Sequence, residues 1–407
     1  MQRSISRVMD NKILVTGIGV ISAIGNSVSE NLSSLRSAKS GIGPIRYLET
    51  VHKNDFMVGE LQLSNDDLCD LLEIAAKDKI KHSRTSLMTL AAAGEALLDC
   101  GLAKGEFEGR RVGFISATTV GGMDKSENHY HSRDLASGFV RTHSTGDSGE
   151  RVAEYLGVDS YHTTLSTACS SAANAIMHGA RLINHGKLDM VLVGGVDPLS
   201  RFTLNGFNSL MILDREWCSP FDENRRGLNL GEGAGFVMLE SASSAERRGA
   251  QVYCRLAGYA NANDAYHQTA SSPDGDGAVR SMEKALIMSG LKPSEIDYIN
   301  VHGTGTSNND LSEGVALKRF FGDQLPPFSS TKSFTGHTLG ASAGIEAVFS
   351  ILAIKQGLIY PNLNFRKAIQ ELGISPAEKL ISDRTVNNVL SNSFGFGGNN
   401  STLIFSK

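Results

Sequence analysis

Three side chains able to act as nucleophiles or to handle protons stand where a short apolar run gives way to small residues. They are Cys169 in STACSSAANAIMHGARL, His302 in INVHGTGT and His337 in STKSFTGHTLGASAG. Cys169 follows a β-favouring Thr/Ser/Leu run, and after it Ala172, Ile176, Ala180 and Ile183 recur on one helical face. The thiol is therefore predicted at a strand-to-helix turn. A helix N-terminus favours negative charge, which predicts a lowered thiol pKa and a sulfur ready to accept an acyl group. Taken alone, such a cysteine is more often a small packing residue, so its companions decide the reading.

His302 follows the apolar run IDYINV, which places it at the carboxyl end of a strand, where α/β sheets build their sites. His337 precedes a helix whose Gly340, Ala341, Ala343 and Gly344 permit close approach of backbone or ligand. The C-terminal SNSFGFGGNN joins Phe394 and Phe396 to three glycines, a composition suited to a tight turn that presents backbone N–H groups.

The elements that must carry these residues read as α/β. KILVTGIGV from Lys12 is a buried strand ending at glycines, and segments near 26–38 and 84–103 have helical periodicity. Apolar runs at 112–116, 189–196 and 235–240 alternate with helix-like stretches such as 169–187, which predicts a largely parallel buried sheet. After the charged, Ser-rich 241–251, a comparable series restarts at VYCRLAGYA, so the boundary between two halves, 11–248 and 249–407, is placed near Gly249. Each half contains a polar strand end, a turn and a small-residue helix, which suggests a duplication.

Composition narrows the function classes. Of 407 residues, 41% are hydrophobic and 20% charged, and the nine prolines are scattered, as in an ordinary globular chain. The net charge of −4 and the lack of a Lys/Arg run argue against nucleic acid and against an anionic membrane surface. Cys69, Cys100, Cys169, Cys218 and Cys254 form an odd set without CxxC or zinc-ligand spacing, which fits a reducing cytoplasm. The opening MQRSISRVMD lacks a signal-peptide apolar core, and no apolar run approaches the roughly 20 residues that span a bilayer.

In this order, STACSS, VHGTGT, KSFTGHTLGASAG and NSFGFGG resemble the β-ketoacyl-(acyl carrier protein) synthases of the elongating type, similar to synthase II, from about Lys12 to Phe405. VTGIGVISAIGN, NLGEGAGFVMLE at 229–240 and DAYHQT at 264–269 add further matches in the right places. The resemblance weakens over 124–162, which is short and polar beside the family's pocket-lining segment.

The resemblance implies a thiolase-like, five-layered αβαβα fold of two similar halves and a ping-pong acyltransferase. It implies that Cys169 accepts an acyl group and that His302 and His337 hold the enolate formed as a malonyl thioester loses CO2. It implies an oxyanion hole of the Cys169 and Phe396 backbone N–H groups, with Phe396 gating the acyl pocket and Phe394 also meeting substrate. Thr304 and Thr306 fall on positions that bind the pantetheine arm, and Lys332 on a lysine that tunes the site. Asn300, Glu313, Glu346, Ser391 and Asn400 fall on positions resembling a structural monovalent-cation site, for Na+ or K+; no other cofactor is implied. The partners implied are an acyl carrier protein bearing acyl and malonyl phosphopantetheine and a second, identical subunit docked through 112–200. The expected role is fatty acid chain elongation, with a ketosynthase of a polyketide or aryl-polyene pathway as the alternative. A thiolase would carry a second, C-terminal cysteine, whereas the last cysteine here is Cys254. A non-catalytic chain-length-factor-like subunit would lack the nucleophile.

Overall fold

Runs such as ILVTGIGVIS and MVLVGGVD are apolar without alternation, the signature of strands covered on both faces. The computed structural model describes residues 12–107, 109–130 and 139–407. Residues 1–11, with the polar opening decapeptide, and 131–138 of the divergent segment lie outside the described residues.

The first half contributes β1 (Ile13–Ser22), β2 (Val112–Ala117), β3 (Tyr161–Leu165), β4 (Met190–Asp197) and β5 (Gly233–Ser241). The second contributes β6 (Cys254–Asn263), β7 (Tyr298–Asn300), β8 (Phe328–Ser329), β9 (Asn388–Gly395) and β10 (Asn399–Ser406). Their order is β3-β2-β4-β5-β1 in one half and β8-β7-β9-β10-β6 in the other, the same topology twice. The halves join where β1 meets β6 antiparallel, with Leu14 opposite Arg255 and Val15 opposite Cys254.

The sheet is mixed, which corrects the expectation of largely parallel strands. β2 pairs parallel with β3 and β4, while β5 runs antiparallel to both β4 and β1. The second half repeats this, with β7 parallel to β8 and β9, and β10 antiparallel to β9 and β6. Helices cover both faces, so the antiparallel strands are as continuously apolar as the parallel ones, and periodicity cannot tell them apart.

Helices complete five layers. α1 (Arg84–Asp99) and α2 (Thr145–Leu156) pack Leu87, Ala93, Val152 and Leu156 on the outer face of the first sheet. α3 (Ser171–Asn184) and α7 (Ser342–Gln356) form the central layer with residues from both halves of the sheet, and α4 (Arg201–Ser209) places Leu204 in an apolar cluster with Cys169 and Leu339. α5 (Asp276–Ser289) and α6 (Ser307–Phe321) cover the outer face of the second sheet through Ala278, Met282, Ala316 and Leu317. Gly235 lets α7 approach β5, because a Cβ there would stand 2.3 Å from the Ile345 backbone nitrogen. The stretch 339–356 is long and apolar enough to cross a membrane, yet 89% of it is buried here as the central-layer helix.

Candidate active site

Cys169 is set by a strained turn. Ala168 takes a φ of 53°, in the left-handed region that a residue with a side chain seldom adopts, and the chain then enters α3 through Ser170. The strand-to-helix placement read from the sequence is found, but the pKa argument is corrected. Burial pushes the Cys169 thiol up to about 12, outweighing the Lys332 ammonium and the backbone N–H groups of Phe396 and Cys169, which favour the thiolate. Desolvation of a fully enclosed sulfur exceeds what a helix start returns.

The Gly-rich turn reaches this sulfur because position 395 lacks a side chain. A Cβ on Gly395 would lie 3.1 Å from the Cys169 nitrogen and 3.2 Å from the Thr167 carbonyl oxygen. The turn is clasped from β6 and the following loop: Gly397 N–H donates to the Gln268 carbonyl at 2.7 Å, and Asn263 Nδ2 donates to the Gly397 carbonyl at 2.8 Å. The Phe396 ring stacks on Phe207 at 5.9 Å. Two backbone N–H groups thus converge on one thiol from opposite halves of the chain.

His302 emerges two residues after β7. Its backbone N–H and that of Gly303 donate to the two oxygens of Glu313 on α6, each at 2.9 Å, which holds the loop in place. Burial raises Glu313 to about 7 even with these donors and Asn392 favouring its charge. His337 is pinned by its backbone, donating to the Asn229 carbonyl at 2.7 Å and accepting from Gly231 at 2.9 Å. Its Nδ1 stands 3.1 Å from Ser342 Oγ, leaving Nε2 for the cavity. The two imidazoles meet edge to face at 5.3 Å and 86°. Phe394 stands 5.6 Å from the His302 ring.

Burial and then the Lys332 charge hold both imidazoles well below the usual histidine range, and His337 pushes His302 further down. Both rings are therefore neutral at neutral pH. Buried His302 Nδ1 has no hydrogen-bond partner. Lys332 does not line the cavity; it stands behind it, 1% exposed, with its Nζ on Glu346, which is 3% exposed and also takes Ser393 Oγ at 3.3 Å. Burial raises Glu346 against this ion pair. Thr304 and Thr306 face one another through their hydroxyls at 2.9 Å.

A cavity of about 290 Å³ brings together Cys169, His302, His337, Thr304, Thr306, Phe394 and Phe396, with Asn400 also on its wall. The side chains of the five residues matched to a cation site divide between the two faces of the sheet. Side chains alternate along a strand, so Val389, Ser391 and Ser393 of β9 face the central layer while Leu390 and Asn392 face α5 and α6. Asn300, beside Thr331, and Glu346 share the central side with Ser391. Glu313 lies across the sheet on α6, and Asn400 meets Gly277 of α5 there. Glu346 is already neutralised by Lys332. As side chains they do not converge on one point, and among the described residues no group of three His, Cys, Asp or Glu could hold a metal ion.

Four contributors carried no sequence signal. Asp197, at the end of β4, accepts from Thr118 Oγ1 at 2.6 Å, Thr119 N–H at 2.8 Å and Gly340 N–H at 2.6 Å, tying the His337 loop to the first half. Met211, Arg226 and Phe207 line the cavity from segments whose local pattern is ordinary.

Residues 10–245 match the family described as Beta-ketoacyl synthase, N-terminal domain, and residues 253–366 match Beta-ketoacyl synthase, C-terminal domain. The chain belongs to the β-ketoacyl synthase family. This β-ketoacyl synthase is 33% identical over 412 residues to the 3-oxoacyl-[acyl-carrier-protein] synthase 2 of Staphylococcus aureus (strain COL), covering 98% of this chain and 99% of that protein. It is 32% identical over 407 residues to Nodulation protein E of Rhizobium meliloti (strain 1021), with the same coverage. Among solved structures it resembles the ishigamide ketosynthase/chain length factor with a TM-score of 0.90 and 31% identity, covering 98% of this chain and 99% of that one. It also resembles the ketosynthase ApeO in complex with its chain length factor ApeC from Xenorhabdus doucetiae, with a TM-score of 0.82, 30% identity, and 97% and 98% covered. The synthase is accordingly a condensing enzyme of the acyltransferase type.

Proposed function

We propose that this synthase joins an acyl group to a malonyl-derived two-carbon unit in fatty acid chain elongation, both delivered as thioesters on the phosphopantetheine arm of an acyl carrier protein. The observation that carries this reading is the convergence of Cys169, His302 and His337 on one cavity, with the N–H groups of Cys169 and Phe396 at the sulfur.

In the first half-reaction the Cys169 sulfur attacks the acyl carbonyl. The tetrahedral oxyanion rests against the Cys169 and Phe396 N–H groups. The carbon–sulfur bond to pantetheine breaks, and the leaving thiolate takes the proton that Cys169 gives up. Because the thiol is protonated in the closed cavity, deprotonation and attack are coupled. In the second half-reaction the malonyl carboxylate departs as CO2 and its bonding electrons pass to the thioester enolate. With Ser342 Oγ–H as donor to His337 Nδ1 the ring proton lies on Nε2, and neutral His337 and His302 each offer an N–H to the enolate oxygen. The enolate carbon attacks acyl-Cys169, the sulfur leaves and regains a proton, and the 3-oxoacyl thioester is released. Burial, with the Lys332 charge behind it, keeps both rings neutral, and Thr304 and Thr306 hold the pantetheine amides.

A second reading is supported by the solved relatives, two of which are ketosynthases with chain length factors. It is a specialised polyketide or aryl-polyene ketosynthase with the same chemistry. The reading of a second, identical subunit rests on β3, an edge strand of half-exposed residues at one end of the sheet. Sedimentation at micromolar concentration tests it, and a monomer contradicts it. Five unpaired, buried cysteines support a cytoplasmic setting. The whole reading is tested by peptide mapping after incubation with acyl carrier protein thioesters: the acyl mass is expected on Cys169, and an acyl group on Cys218 or Cys254 overturns it.

A further inference from the structure

Beside the catalytic cavity lies a second cleft of about 300 Å³, bounded by Trp217, Asn224, Arg226, Asn364 and Arg366. Arg226 belongs to the walls of both, so one residue borders the two spaces. The cleft is built from fixed parts. Trp217, half exposed, anchors its indole by donating Nε1–H to the Ile42 carbonyl at 3.0 Å. Asn364 takes a left-handed φ of 66°, and its amide donates to the Cys218 carbonyl at 2.9 Å.

The charges in this cleft leave cationic capacity unspent. Arg226 gives only its Nη2 to carboxylates, at 3.0 Å to Asp214 and 2.8 Å to Glu216, and its side chain remains 56% exposed. Among the described residues no carboxylate pairs with the Arg366 guanidinium. The buried carboxylate of Asp222 is already satisfied by the N–H groups of Arg366 at 2.6 Å, Lys367 at 2.9 Å and Asn224 at 2.8 Å. Glu216, the remaining acid, is 68% exposed at its side chain, so its pairing with Arg226 is open to solvent.

We propose that this cleft binds the phosphate ester at the head of the pantetheine arm, with Arg226 and Arg366 as its cationic donors and Asn224 and Asn364 completing the shell. The proposal rests on the reading that Cys169 is acylated from a pantetheine thioester, and it adds a subsite to that channel. Planar guanidinium groups are suited to phosphate oxygens, giving paired, charge-assisted hydrogen bonds. The same phosphate occurs in coenzyme A and in a carrier protein, so both sources present the same anion to the cleft.

The experiment measures kcat/KM for acylation of Cys169, by intact mass, with hexanoyl pantetheine, hexanoyl 4′-phosphopantetheine, hexanoyl coenzyme A and the hexanoyl carrier protein. The phosphorylated arm is expected to react on the order of tenfold better than the unphosphorylated one, as for a bond to a charged group. That advantage should fall toward one in Arg366→Gln, persist in part in Arg366→Lys, and shrink with added salt. A ratio near one in the wild type, or an unchanged ratio in Arg366→Gln, overturns the proposal. So does a loss confined to the carrier protein, which would mark a protein contact rather than a phosphate site. Failure of every donor, unphosphorylated pantetheine included, to acylate the wild type would overturn the parent reading instead.

Discussion

Replacing Lys332 with Met tests the electrostatics behind the cavity. The substitution keeps the length of the side chain and removes its charge, stranding the Glu346 carboxylate where it is 3% exposed. Breaking a buried pair by removing one partner costs about 3–5 kcal/mol, because the survivor stays desolvated. Among the described residues Ser393 Oγ at 3.3 Å is the only other hydrogen bond to that carboxylate, so little compensates. Adding Glu346→Gln removes the stranded charge, and the double variant should recover most of the loss in denaturant unfolding at pH 7. Catalysis should respond separately. Lys332 is the second cause, after burial, of the low pKa of both histidines, so its removal moves both upward. A histidine of raised pKa protonates earlier on acidification, so the acid limb of decarboxylation should move to higher pH. A Lys332→Met loss under about 1 kcal/mol, no rescue by Glu346→Gln, or an unmoved acid limb would refute the reasoning.

Glu313→Gln should change the pH dependence of stability. A carboxyl raised in the folded state to about 7 contributes stability that is present below its unfolded value near 4.5 and is lost as pH rises through 7. The wild-type melting temperature minus that of the variant should therefore be most positive in acid and fall as pH rises through about 7; a difference that grows with pH would count against a buried, protonated Glu313. Gly395→Ala places a methyl 3.1 Å from the Cys169 nitrogen and should displace the Phe396 N–H. Condensation is expected to fall about tenfold or more with the fold intact by circular dichroism, and wild-type turnover would contradict the oxyanion assignment. Thr304→Val should raise KM for the thioester donors several-fold with little change in kcat, since it removes a hydroxyl that positions rather than reacts; an effect on kcat alone would argue otherwise.

The parts of the site legible in the sequence were those set by local pattern. Cys169 is announced by a β-favouring run that changes to helical spacing at Ala172, and His302 by the end of an apolar strand. The direction of the Cys169 pKa was not legible, because enclosure depends on Phe396 and Lys332, more than 150 positions away. The side chains of the cation set are divided by strand geometry. Neighbouring strand residues face opposite sides of a sheet, and a match by position cannot say which side Glu313 or Asn400 will occupy. Strand direction was hidden by helices on both faces. Asp197 is invisible in the sequence as well, since a carboxylate at the end of VGGVD gains its role only when Gly340 is folded against it.

The central claim is that the cysteine stores the acyl group while the histidines handle the malonyl-derived charge, and it is tested most directly by measuring CO2 release beside 3-oxoacyl product for three variants. Cys169→Gln removes the nucleophile but supplies an amide that mimics an acylated side chain, so decarboxylation should persist while condensation disappears. His302→Ala and His337→Ala each remove an enolate donor and should cost on the order of 100-fold or more in decarboxylation and condensation, with acylation of Cys169 better preserved. Histidine variants that lose acylation yet still release CO2, or a Cys169→Gln enzyme that still condenses, would contradict the account.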